Sequence, residues 1–78
     1  MLIFTNKGML SIVVHREKEN HLLVRAREQG VIEEIFPEAE TSRTPNADYL
    51  YRAEIDRAEV GRTIEDLFID MDYDNSVF

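Results

Sequence analysis

The chain has 78 residues with a formal net charge of −7, 44% hydrophobic residues, three glycines, two prolines and no cysteine. That size and apolar content predict one small folded domain with a thin core. The missing cysteines exclude disulfides, thiolate metal sites, iron–sulfur clusters and cysteine nucleophiles.

The start, MLIFTNKGMLSIVV, has apolar runs broken by Asn6, Lys7 and Gly8. It lacks the continuous apolar core of a secretion signal and the stretch of about 20 apolar residues that a membrane span needs. The expectation is a cytoplasmic protein. Leu2 to Thr5 is β-prone, and Asn6-Lys7-Gly8 reads as a turn. Leu10, Ile12 and Val14 then alternate with Met9, Ser11, Val13 and His15, the period of two that marks a strand. Glu17 to Asn20 reads as a second turn, leading to a third strand. Leu22, Val24 and Ala26 line one face of it; Leu23, Arg25 and Arg27 line the other.

Val31, Ile32, Ile35 and Phe36 fall on one helical stripe that Pro37 must end. Residues 37 to 47 show no apolar periodicity and carry both prolines, which predicts a surface loop. DYLYRAEI predicts a fourth strand, with Tyr49, Tyr51, Ala53 and Ile55 on one side. Asp56 with Glu59 three residues later reads as a capping box. It opens a helix whose apolar face holds Ala58, Val60, Ile64, Leu67, Phe68 and Met71. Ile69 lies off that stripe, so either the helix ends early or Ile69 is exposed. The resulting order, β-β-β-α-β-α, is an α+β fold: a small antiparallel sheet with two helices packed on one face. Residues 1–78 are expected to form this single domain, with residues 72–78 as a flexible acidic tail.

Charge is unevenly placed. Residues 1–36 hold five acids and five bases, whereas residues 37–78 hold eleven acids and four arginines. After Arg62 there are five acids, Glu65, Asp66, Asp70, Asp72 and Asp74, and no base. Such an end repels nucleic acid and anionic lipid and attracts basic protein surfaces. Along a helix the five carboxylates fall about one per 3 Å, close to the charge spacing of one DNA strand. Asp70, Asp72 and Asp74 match the first ligands of a calcium loop, but Asn75 stands where the turn glycine belongs and the twelfth position lies past Phe78. No metal or cofactor is expected.

His15 and His21 flank a turn, yet two imidazoles without a third ligand make no metal site. A triad of Ser11, His15 and an acid lacks a nucleophile elbow and an anion loop, so the chain is read as non-enzymatic. Arg25, Arg27 and Arg52 share the polar side of their strands. They suggest an RNA- or anion-binding sheet face as an alternative, opposed by Glu54 and by the lack of exposed aromatics arranged for base stacking.

The segments GMLSIVVHR, LLVRAR, TPNADYLYRAEI and DYDN, in that order, resemble a family of small bacterial and phage proteins of unknown function ending in a DYDNF-like tail. Here the tail reads DYDNS. The resemblance implies no catalytic residues. A phage setting suits an inhibitor, anti-CRISPR-like and DNA-mimicking, that docks on a basic nucleic-acid-handling protein in the host cytoplasm. The residues expected to bind that partner are Glu65, Asp66, Asp70, Asp72, Tyr73, Asp74 and Phe78, with no direct nucleic-acid or membrane binding. A self-associating protein, such as a homodimer built on the apolar residues of this end, is the third reading.

Overall fold

The computed structural model describes residues 1–69. Its antiparallel sheet and two helices make it an α+β fold. The chain runs through β1 (Leu2–Thr5), β2 (Gly8–Val14), β3 (His21–Ala26), α1 (Val31–Ile35), β4 (Ser42–Arg43), β5 (Tyr51–Asp56) and α2 (Arg57–Ile69). The five strands pair in the order β1-β2-β3-β5-β4, every neighbour antiparallel.

Local chemistry accounts for the turns. Between β1 and β2, the Thr5 hydroxyl donates to the Gly8 carbonyl at 2.8 Å and accepts the Lys7 N–H at 3.0 Å, closing the hairpin. Between β2 and β3 the chain turns at Asn20, whose φ of 60° is one asparagine tolerates better than most residues. The Asn20 carbonyl then accepts the Arg57 N–H at 2.7 Å, tying this turn to the start of α2.

Alternation sends Leu10, Ile12, Val24, Ala26, Ala53 and Ile55 to one face, where they form a single buried cluster with Val31, Ile32 and Ile35 of α1, with Phe36 at its C-terminal end and with Val60 of α2. The whole stripe expected of α1 is buried. The stripe of α2 docks only in part: Val60 is buried, Ile64 and Leu67 rest against the cluster, and Ala58 is exposed. Phe68 is 67% exposed, which overturns its placing in the core. Ile69, off the stripe, is 68% exposed. Met71 lies outside the described residues.

Two further expectations need correction. The loop over 37–47 contains β4, in which Ser42 and Arg43 pair with Arg52 and Tyr51, and the Thr44 N–H donates to the Leu50 carbonyl at 2.7 Å. The element order therefore gains a strand. The following strand begins at Tyr51, so Tyr49 precedes it and does not share the core side with Tyr51, Ala53 and Ile55. The helix after it is capped as its sequence suggests, because Asp56 Oδ1 accepts the N–H groups of Ala58 at 2.8 Å and Glu59 at 3.3 Å. Asp56→Ala should lower stability by about 1 kcal/mol, read as a shift of the urea midpoint at constant slope.

Candidate anion-binding face

The sheet face away from the core carries the side chains that sequence parity assigned to the polar side, and strand register sorts them into rows. Directly paired residues on antiparallel strands project from the same face. Ser11 pairs with Leu2 and with Arg25, Arg25 pairs with Arg52, and Arg52 pairs with Ser42. One row across all five strands is thus Leu2, Ser11, Arg25, Arg52 and Ser42. The next row holds Val13, Leu23 and Glu54, and beyond it His21 faces Asp56. The face is polarised, with arginines at one end and acids with histidines at the other.

At the arginine end the side chains support one another. Arg25 Nη2 donates to Ser11 Oγ at 2.7 Å, and Ser11 is only 2% exposed. The Arg25 Cζ lies 4.6 Å from the centroid of the Tyr49 ring and that of Arg27 lies 5.1 Å from it, so one tyrosine stacks with two guanidinium groups. Arg52 Nη2 donates to the Tyr49 carbonyl at 3.4 Å. The Nε–H groups of Arg25 and Arg52 are shielded from solvent and have no acceptor among the described residues. Ion pairs among the described residues are Lys7–Glu34, His15–Glu54 and Lys18–Glu54, and none involves these arginines. Two like charges therefore stand opposite each other with no carboxylate of the described residues at ion-pair distance, an arrangement that destabilises a sheet.

The other end carries ion pairs of its own, with an excess of acids. His15 Nδ1 accepts the N–H groups of Glu17 at 3.2 Å and Lys18 at 3.0 Å, so the ring proton sits on Nε2, which faces Glu54 Oε2. The bond from His15 is the largest cause and, with the nearby cationic groups, outweighs desolvation, holding the Glu54 carboxyl below its ordinary value of 4.5. A lowered folded value means that Glu54 adds stability above pH 4.5, and that this is lost as pH falls through the folded value. Glu54→Gln should therefore lower stability at neutral pH and flatten its decline in that acid window; urea midpoints at a series of pH values check this. An unchanged acid slope would contradict the assignment. Glu38 and Glu40, from the segment after α1, line one concavity together with Glu54, Arg25 and Arg52.

Of the partner-binding residues expected from sequence, Glu65 and Asp66 are exposed on α2. Asp70, Asp72, Tyr73, Asp74 and Phe78 lie outside the described residues, as does the calcium-like spacing. No cluster of three metal-ligating side chains occurs among the described residues. The Ser11–His15 relay is ruled out by geometry: four residues of strand separate them by about 13 Å, and Ser11 is covered by Arg25.

Sequence reasoning missed Ser11 and Tyr49 as parts of this face. Ser11 was visible as the one polar residue of its parity in β2. Tyr49 was hidden by an alternation that runs through Leu50 unbroken. Phe4, on the same side as Leu2, is 75% exposed. No protein-family model, curated protein or solved structure matches the chain. Among the described residues, no helix is long and apolar enough to cross a membrane.

Proposed function

We propose that this chain is a non-enzymatic binding module whose open sheet face captures an anionic group between Arg25 and Arg52. The observation that carries the reading is the directly opposed arginine pair, with no carboxylate partner among the described residues and with shielded, unsatisfied Nε–H groups. A shielded donor left without an acceptor costs about 1–3 kcal/mol, so such an arrangement calls for a compensating role. An anion lying across the free Nη groups offsets the repulsion between the guanidinium ions and gains charge-assisted hydrogen bonds. Tyr49 and Ser11 hold Arg25 in place before the ligand arrives, which reduces the entropy lost on binding. Arg27, its guanidinium 5.1 Å from the Tyr49 ring centroid, supplies a third positive charge nearby.

The acids at the other end of the face and the net charge of −7 oppose a long polyanion. The ligand is accordingly one with isolated carboxylate or phosphate groups, not a continuous nucleic-acid backbone. Titration with inorganic phosphate, followed by amide and arginine side-chain NMR, should shift Arg25 and Arg52. Arg25→Gln or Arg52→Gln should weaken binding roughly ten- to hundredfold. Tight binding of single-stranded RNA, abolished by the same substitutions, would replace this reading with an RNA-binding one.

A second reading is favoured by Phe68 and Ile69, which stand exposed on α2 next to the exposed Glu65 and Asp66. Continued by Asp70, Asp72, Tyr73, Asp74 and Phe78, this acid-rimmed apolar end suits docking on a basic surface. A phage-type inhibitor of a nucleic-acid-handling protein would bind in this way. Its signature is capture of a basic partner that weakens with salt and is lost on Asp70, Asp72 and Asp74→Asn, with Arg25 and Arg52 dispensable.

A further inference from the structure

The anionic group that this face takes need not come from another molecule type, because the chain itself carries five acids and no base after Arg62. We infer that the arginine end of the sheet is docked by the acidic segment 70–78 of a second copy of the chain. This rests on the anion-binding reading above. Arg25 on the third strand and Arg27 just past its end hold their guanidinium carbons 4.6 and 5.1 Å from the centroid of the same Tyr49 ring, a compact positive site beside Arg52. Asp70, Asp72 and Asp74 alternate in sequence, so a segment docked in extended form would turn all three carboxylates to one side. Arg52, opposite Arg25, widens the positive strip, and the exposed Ser42 in the same row offers a hydroxyl to the incoming backbone.

Met71 and Tyr73 fall on the other side of such a segment, away from the carboxylates. The exposed Phe4 and Leu2 on this sheet face supply apolar area for a bound chain, and the acids around Glu54 repel it from the opposite end.

Tethering favours a second copy over the same one. Val60 seats α2 on the core face, while the arginines project from the other face of the sheet. Packed layers are about 10 Å apart. Asp70 and Asp72 lie within about 10 Å of chain from Ile69, too short to pass round the sheet and reach its middle strands. Between two molecules no such limit applies, and all three aspartates can engage.

Sedimentation of the full chain tests the proposal. At about 20 mM salt the protein should associate with rising concentration, and at about 500 mM it should be monomeric, because charge pairs of this kind are screened. The triple variant Asp70, Asp72 and Asp74→Asn, which leaves the described fold untouched, should weaken association at least about tenfold, and so should Arg25→Gln with Arg52→Gln. Mixing the two variants should restore a one-to-one complex, since each supplies the half that the other lacks. A chain that stays monomeric at low salt while phosphate still shifts Arg25 and Arg52 overturns the docking and leaves the anion site standing. Arg25 and Arg52 resonances that move on the aspartate substitutions in a strictly monomeric chain overturn the second copy in favour of the same chain. Silence towards both phosphate and the tail overturns the two proposals together.

Discussion

Phe36→Ala should cost about 3–5 kcal/mol of unfolding free energy, while Phe68→Ala stays within about 0.5 kcal/mol. Both phenylalanines lie on apolar stripes, but their surroundings differ. Phe36 is 1% exposed, closes the end of the first helix with its N–H on the Ile32 carbonyl, and belongs to the single core cluster. Truncation there removes transferred area and leaves a cavity that neighbouring helix and strands cannot collapse to fill. In a domain of this size the loss is comparable with the whole stability, so the variant is expected to be largely unfolded at room temperature. Phe68 keeps two thirds of its surface in water and has little burial to lose. Urea denaturation followed by circular dichroism gives both values. A reversed order would mean that the end of α2 belongs to the core.

Gly8→Ala is the second large effect, expected at about 2–5 kcal/mol from backbone strain together with overpacking. Gly8 opens the second strand at a φ of 136°, which residues with a side chain rarely adopt. A Cβ placed there would lie 2.7 Å from Val31 Cγ2 and 3.0 Å from Cγ1, at the first turn of α1. The glycine is what lets the helix start sit on the hairpin. Val31→Ala removes the clash but not the φ penalty, so the double variant should be less destabilised than the sum of the two singles and still weaker than either parent glycine protein. A Gly8→Ala cost below about 0.5 kcal/mol would refute the close approach, and additive effects would place the cost in the backbone alone.

These two results separate what local pattern reveals from what it hides. The first three strands, the stripe of α1 and the Asp56 cap were legible because each depends on neighbours within a few residues: alternation, a 3.6-residue period, and a side chain bonding amides two and three positions on. Phe68 was misplaced for a definite reason. A helical wheel states which side of α2 is apolar, but not how far along its 13 residues, about 20 Å, the sheet continues beneath it. β4 was missed because its two residues carry no apolar pattern; it exists because the edge of the following strand offered unpaired backbone groups. Tyr49 left the core side because the strand starts two residues later than its alternation suggests.

The candidate site divides along the same line. Parity alone assigned Arg25, Arg27 and Arg52 to one face and Leu22, Val24 and Ala26 to the other, and counting alone located the negative charge after Arg62. Which side chains meet was decided by the fold. Sliding one strand past another by two residues preserves every inward and outward assignment, so hydrophobic pattern is blind to it, while it changes each cross-strand partner. Turn lengths and core packing select one register, and that choice sets Arg25 against Arg52, covers Ser11 with a guanidinium group and brings Tyr49 beneath it.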